Sequence, residues 1–418
     1  MLFQKYRDKI FYGWVVVATF CIGGSAIWGV RFSFGVFFKS LESEFTLSRA
    51  ATSAIFSTLM GLGVIFTIVG GWALDRFGPR IVFLSMGICT GLSLLLTGQV
   101  TGLWQIFFTY SLLLAVGSSP IYVVVMSTVS RWFDKRRGLA LGMASIGAGM
   151  GPLVVAPFAT YLIYAFDWRG SFTVLGIIAL AMVIPVSLLL KRNPQELGLL
   201  PDGADFSASE KIAQRPVAVA DYLSPRQAVR TRSFWMVLGS FLLYATYLLI
   251  ILTHLVPHVT DLGFSAVEAA TVLSVAGGAT IIGRLVLGLA SDRLGKKRAV
   301  MLGAVVHIIA LLCVLWAREL WMFYVFAFLF GLGWGGMGPA TAALIGQTFG
   351  LGRLGAILGL LDTGFNIGAA IGPVVGGLIY DLRQSYFLSF LLGIGLMLAT
   401  MMLVYFVRQE TGRAAVSR

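Results

Sequence analysis

Two arginines stand inside apolar stretches of this chain, Arg284 in GATIIGRLVLGLASDR and Arg31 in WGVRFSFGVFF. Arginine keeps its charge at any physiological pH and offers a planar fork of donors that matches a carboxylate. Helical spacing puts Gly277, Thr280, Arg284, Gly288 and Ser291 on one face, small or polar throughout, which is the profile of a cavity lining. A charge near the centre of a bilayer costs at least about 2.5–3.5 kcal/mol, so it needs a cavity or a partner. For Arg284 three readings compete: contact with an anionic substrate, a structural pair with an acid on another helix, or snorkelling to the cytoplasmic edge. Arg31 shares a helical face with Gly24, Trp28 and Gly35 nearer the outer end, where snorkelling is the alternative to lining the pathway.

Fewer residues offer proton chemistry. Asp362 lies about 12 Å into its predicted helix by helical rise, with Asn366 one turn further on the same face. Carboxylates removed from water hold protons more readily, which suits proton pickup. The competing reading makes Asp362 a polar helix end paired with Arg353. Asp261, in THLVPHVTDLG, either senses the external proton or is a solvated cap. His254 and His258 flank Pro257 in the same stretch, and two ligands do not make a metal site. His307, in an apolar helix, reads as a hydrogen-bonded packing residue. Tyr122 follows Ser118 by one turn across Pro120 and can offer its hydroxyl to a carboxylate; Trp334 sits among glycines in GLGWGGMGP and can wall a small cavity. For each of these, packing is the alternative.

The elements that must position these residues are membrane helices. The chain has 418 residues, 58% hydrophobic and only 12% charged, with 50 glycines. Soluble domains carry about 25% charged residues. Apolar runs of bilayer-spanning length, about 20 residues each, recur throughout. Twelve spans are expected, near 11–38, 49–74, 79–100, 102–131, 138–164, 168–190, 233–259, 265–291, 297–317, 319–348, 354–380 and 384–407. The first has basic residues before it but no convincing cleavage site, so it is a span and not a signal peptide. The polar stretch 191–232 divides the chain into a bundle over 1–190 and another over 233–418, and reads as a cytoplasmic linker with a flexible part or a short surface helix.

The net charge of +13 does not imply nucleic acid, because the basic residues fall between apolar runs. Lys5, Arg7 and Lys9 precede span 1; Arg76 and Arg80 follow span 2; Arg131, Lys135, Arg136 and Arg137 follow span 4; Arg293, Lys296, Lys297 and Arg298 follow span 8. Every second loop is basic, which places both termini and the linker in the cytoplasm. Cys21, Cys89 and Cys313 have unrelated spacings in apolar runs and suggest neither disulfides nor metal. No cofactor is called for. The halves also repeat: GWALDRFGPR at 71–80 matches GLASDRLGKK at 288–297 with an offset of 217, and GAGMGP at 147–152 matches GAAIGP at 368–373 with an offset of 221. Parallel six-helix repeats are a transporter architecture with the site near the midplane.

The loop Gly71-x-x-x-Asp75-Arg76-x-Gly78-x-Arg80, echoed by Gly288, Asp292, Arg293, Gly295 and Lys297, resembles the signature loop of the major facilitator superfamily. The resemblance covers the whole chain and implies an all-α fold of two six-helix bundles, in which this loop stabilises one orientation of the gate. WGVRFSFGVFF, THLVPHVTDLGFS and the buried Arg284 resemble the monocarboxylate porters and the related oxalate:formate antiporters. That likeness implies that Arg284 binds the anionic end of the substrate. The animal porters carry an aspartate four residues before this arginine; here Thr280 stands there, so proton coupling would have to use another acid.

The expected activity is therefore secondary transport of a small monocarboxylate such as lactate or pyruvate, by proton symport and alternating access. Arg284 would hold the carboxylate, Tyr122 and Asn366 would add hydrogen bonds, Trp28 and Trp334 would form walls, and Ser118, Thr280 and Arg31 would complete the lining. Asp261 and Asp362 are the proton candidates. The alternative is an oxalate/formate-type antiporter, although the lysine that family carries in helix 11 is missing between Leu354 and Tyr380. An integral membrane enzyme would show clustered His, Asp or Glu at a membrane face, and a receptor would need a signalling domain; neither is seen. A prokaryotic plasma or inner membrane, and action as a monomer, are expected.

Overall fold

In a computed structural model the described residues are 11–133, 136–203, 223–350 and 354–408. Their long elements are all helices: α1 (Tyr12–Phe32), α2 (Phe34–Glu44), α3 (Arg49–Thr97), α4 (Leu103–Trp132), α5 (Arg137–Ala144) and α6 (Gly147–Ser187), followed by α7 (Arg232–Asp261), α8 (Ala266–Leu294), α9 (Lys296–Leu315), α10 (Leu320–Phe349), α11 (Leu354–Arg383) and α12 (Phe387–Phe406). Ten helical runs among the described residues are long and apolar enough to cross a membrane. The chain is a multi-pass helical membrane protein, since a helix is the element that satisfies its own backbone in lipid.

Helix starts follow the sequence. The Ser48 hydroxyl accepts from the Ala51 amide, the Thr231 hydroxyl accepts from Phe234, and Ser265 with Glu268 forms a reciprocal capping box. Two helices are interrupted. As a straight rod the 49 residues of α3 would run about 73 Å, more than twice a bilayer core of about 30 Å. Gly78, at φ 81° and ψ 168°, breaks it just before Pro79, a backbone conformation that glycine adopts at little steric cost. In α6 the break is Asp167, at φ 64°. Its carboxylate accepts from the Arg169 and Gly170 amides at 2.6 and 3.0 Å and so starts the next helical segment. In the linker, residues 194–197 and 201–203 form short 3-10 turns and Pro225–Ala228 a short helix, while 204–222 lie outside the described residues.

Within the N-terminal helices α1 packs on α6 and α3 on α6; within the C-terminal helices α7 packs on α11, α8 on α10, and α9 on α10 and α12. The most extensive contacts between the two sets are α3 with α11, α6 with α8, and α2 with α7. The apolar core shows where they join. One large cluster runs without interruption from Phe34, Phe56 and Tyr110 to Leu252, Phe330 and Phe390. A second, around Phe20, Phe83, Trp132 and Leu190, contains N-terminal residues only. A third, around Phe234, Ile345, Phe349 and Val407, contains C-terminal residues and Leu223 and Ala228 of the linker. The two sets of helices thus share a core at one end and keep separate cores at the end that carries the linker.

Candidate functional site

The charged residues found inside apolar helices meet where the shared core ends. Arg31, near the C-terminal end of α1, is 7% exposed. Its Nη2 faces the Met60 sulfur at 3.0 Å, its Nη1 donates to the Ser118 carbonyl at 3.4 Å, and its Nε has no partner. Pro120 interrupts α4 here. The carbonyls of Ser118 and Ser119 are turned to outside donors, Arg31 and the Thr67 hydroxyl, the latter at 3.2 Å. Both serine hydroxyls are buried without partners. Arg31 therefore does not snorkel; it is held inside the molecule.

Asp362 and Asn366 face this group from α11. The Asn366 amide donates to the Asp362 carboxylate at 2.9 Å and to its carbonyl at 3.0 Å. Asp362 lies within electrostatic reach of Arg31. Asn366 also abuts α3, because a Cβ at Gly63 would sit 3.3 Å from its Oδ1 and 2.9 Å from the Ser119 hydroxyl. Arg353, the competing partner for Asp362, lies outside the described residues.

Arg284 approaches from α8. Its Nη1 donates to the Ser145 carbonyl, at the turn between α5 and α6, so it reaches from the C-terminal to the N-terminal helices. Among the described residues no carboxylate forms an ion pair with Arg284 or Arg31. Tyr122 is the group between: it lies within electrostatic reach of both Arg284 and Asp362. Trp334 of α10 meets Phe32 edge-to-face across the two sets of helices, at 5.4 Å between centroids. Arg31, Arg284, Tyr122, Asp362, Asn366, Ser118 and Trp334 are thus gathered along one seam.

Other expected lining residues are placed elsewhere. Trp28 is 6% exposed and packs on Gly24 within the N-terminal core. Thr280 is 1% exposed, and its hydroxyl donates to the Gly277 carbonyl at 2.7 Å. A Cβ at Gly149 of α6 would come within 2.2 Å of that hydroxyl, so Thr280 sits at the tightest crossing of α6 and α8. Asp261 is bound to Lys39 at 2.6 Å and Arg49 at 3.1 Å, and makes no contact with Arg284. His307 bonds the Gly303 carbonyl at 2.9 Å inside an aromatic cage, as a packing residue does.

In the repeated loop, Asp75 precedes the Gly78 break and pairs with Arg131 of α4 at 3.0 Å, while Arg192 donates to its carbonyl at 2.6 Å. It thus ties α3 to α4. Arg76 lies over the rings of Trp72 and Phe77, and Arg80 and Arg293 are exposed. The Asp292 side chain lies outside the described residues. Lys297 caps the end of α12 through the Tyr405 and Val407 carbonyls.

Sequence reasoning missed Arg49. It stands at the first residue of α3, where a basic residue beside a cap serine looks like an ordinary helix start. Besides Glu42, seven residues earlier, its partners are 212 and 337 positions away, and no local pattern announces those two.

Comparison with known proteins places the chain. The profile of the Major Facilitator Superfamily matches residues 20–320 and 255–418. Monocarboxylate transporter 13 of Rattus norvegicus is 27% identical over 397 residues, covering 93% of this chain and 87% of its own. Monocarboxylate transporter 11 of Homo sapiens is 28% identical over 398 residues, covering 93% and 81%. The MFS-type transporter YcxA of Bacillus subtilis (strain 168) is 28% identical over 389 residues, covering 88% of each. A crystal structure of a bacterial homolog of the human lysosomal transporter Spinster shares the fold, with TM-score 0.67 at 14% identity, over 97% of this chain and 96% of that one. The chain belongs to the Major Facilitator Superfamily, and is a transporter and not an enzyme.

Proposed function

We propose that the protein moves small organic monocarboxylates of the lactate or pyruvate kind across a prokaryotic inner membrane, by proton symport. It crosses the membrane twelve times, the breaks at Gly78 and Asp167 each separating two spans, with both termini and the 191–232 linker cytoplasmic. The 1–190 and 233–418 bundles rock about the seam, and the protein works as a monomer. One observation carries the reading: Arg284 is half-buried at the seam, within electrostatic reach of Tyr122, with no carboxylate among the described residues paired to it. A buried cation left without its counterion is stabilised by an anion that arrives.

Arg284 takes the substrate carboxylate through the edge that Ser145 leaves free, and the Tyr122 hydroxyl adds a hydrogen bond. Phe32 and Trp334 close over the apolar end of a small acid. Asp362 carries the proton, held by Asn366 and facing Arg31. With Asp362 ionised, two arginines inside the helices against one carboxylate leave a single cation in excess at the seam, enough for one carboxylate of substrate. The relatives named monocarboxylate transporters support the same substrate class. An oxalate-type exchange would call on both arginine charges, and the Asp362 carboxylate, when ionised, offsets that of Arg31.

The test is uptake of labelled lactate, pyruvate, formate and oxalate into proteoliposomes, with and without an inward proton gradient. Gradient-driven accumulation of monoacids alone is expected. Gradient-independent oxalate exchange would replace this reading with the antiporter.

A further inference from the structure

Far from Arg284, at the end where the two sets of helices share a core, a second charged assembly crosses the seam. Arg49, the first residue of α3, is 6% exposed. Its guanidinium pairs with Glu42 of α2 at 2.7 Å and with Asp261 of α7 at 3.1 Å, and lies 4.4 Å over the Tyr380 ring. Asp381 of α11 accepts from the backbone amides of Arg49 and Ala50 at 3.0 and 2.9 Å. A carboxylate of one bundle therefore caps the helix N-terminus of the other, where the helix dipole favours an anion. This close approach depends on Gly377, where a Cβ would meet the Arg49 carbonyl at 2.7 Å.

The assembly continues inward through oriented hydrogen bonds. Arg49 Nη1 donates to the Tyr386 hydroxyl at 3.0 Å. His254 Nε2 lies 2.8 Å from the Pro373 carbonyl, which can only accept, so Nε2 carries the proton and Nδ1 accepts from Tyr386 at 3.1 Å. Ser53 of α3 stands 3.3 Å from the same Nε2. Lys39 adds a peripheral bond to Asp261 at 2.6 Å. From the N-terminal bundle come Lys39, Glu42, Arg49 and Ser53; from the C-terminal bundle come His254, Asp261, Asp381 and Tyr386.

We propose that this Arg49-centred clasp is the outer gate of the transporter, and that its rupture is the step that opens the pathway to the outside. The inference rests on the alternating-access reading above. Three features set it apart from an ordinary surface pair, which is worth little. Its central Arg49 is buried, most of its bonds join the two bundles, and it lies where their cores merge, whereas the opposite end has separate cores. Each bond that crosses the seam exchanges its partner for water when the bundles part, so the closed and open states can lie close in free energy. Salt screens it weakly while it is closed, because buried pairs are shielded from solvent ions.

The test reads accessibility and needs no substrate. Ser57, 8% exposed, lies two turns past Arg49 toward Met60. Ser57→Cys is placed in a chain with Cys21, Cys89 and Cys313 replaced by serine, and a membrane-impermeant maleimide is added from outside. Arg49→Gln and Asp381→Asn should each raise the labelling rate at least about tenfold, the equivalent of about 1.4 kcal/mol. The double variant should add less than the product of the two, because both break one assembly. Tyr386→Phe, which removes only a hydroxyl, should give a smaller rise in the same direction. Unchanged rates in monodisperse protein would overturn the proposal. So would loss of folded protein in all three variants, since the assembly would then hold the fold and not one state of it. If labelling rises while no monoacid is transported, the gate stands and the substrate reading falls.

Discussion

Replacing Arg284 with glutamine separates a substrate ligand from a structural ion, because the two roles predict opposite changes in stability. The guanidinium is committed at one nitrogen, Nη1, to the Ser145 carbonyl. That leaves the Nε–Nη2 edge for an incoming carboxylate. Hydrogen bonds to charged groups contribute about 1.5–3 kcal/mol each. Losing two of them in a site where glutamine can replace one weakly gives a net loss of about 3 kcal/mol, or about 100-fold in affinity. Arg284→Lys keeps the charge and loses the fork, so it should fall between, at about tenfold.

In the empty protein the sign reverses. No acid among the described residues pairs with half-buried Arg284, so its removal relieves part of a burial cost of about 2.5–3.5 kcal/mol for a charge at the bilayer centre. Ser145 loses a donor, which returns about 1 kcal/mol of that gain. The apo Arg284→Gln protein should melt at or above the temperature of the parent while binding lactate about 100-fold more weakly. Thermal unfolding in detergent and calorimetric titration with lactate measure the two quantities on one sample. A marked fall in melting temperature with lactate affinity kept within threefold would mean that Arg284 is a structural ion, and the site would have to move.

The proton route and the Thr280 crossing give two further expectations. Asp362→Asn should abolish accumulation driven by a proton gradient while leaving lactate counterflow at near-parental rates, as uptake with preloaded proteoliposomes measures; retained accumulation would exclude Asp362 as the carrier. Thr280→Asp, which restores the residue found in the animal porters, should lower folded yield and melting temperature, not improve coupling. Its carboxylate would enter a crossing where a Cβ at Gly149 would already fall 2.2 Å from the threonine hydroxyl, and a buried pair without good geometry does not recover its desolvation cost. Gain of proton-driven uptake in Thr280→Asp would show that α6 and α8 separate at that level during transport.

Much of the fold was legible because membrane helices are written in local signals. The apolar runs, the caps at Ser48, Thr231 and Ser265, and the interruption at Gly78-Pro79 all act within a few residues. Arg284 and Arg31 were legible for the same reason: a cation in an apolar run is conspicuous wherever it points. Facing was less so. Helical periodicity put Thr280 and Arg284 on one side of α8, but one turn separates a residue pinned against Gly149 from one reaching Ser145. Trp28 shared a face with Arg31 and turned into the N-terminal core. Which stretch of a polar face meets the cavity depends on how two bundles dock, and that is set by contacts remote in sequence. The Arg49 clasp is the extreme case, since Arg49, Asp261 and Asp381 each look like an ordinary helix end.

The loss of the acid beside Arg284 and the presence of Asp362 are two sides of one arrangement. An aspartate one turn from Arg284 would neutralise it in the empty state and would have to release it to the substrate. Here Thr280 is sealed in a helix crossing, so Arg284 stands uncompensated, while the acid sits on α11 facing Arg31. In the proposed cycle the proton and the carboxylate therefore bind to different arginine neighbourhoods, joined through Tyr122, which senses both. Protonating Asp362 then removes the negative charge facing Arg31 and adds a second uncompensated cation to the seam, which strengthens anion binding at Arg284 without direct contact. Coupling arises from the shared electrostatics of one low-dielectric seam, where charges act on one another far more strongly than in water. Tyr122→Phe leaves that field intact and should weaken substrate binding without uncoupling transport, whereas neutralising Arg31 should uncouple it; the reverse pattern would return the proton to the neighbourhood of Arg284.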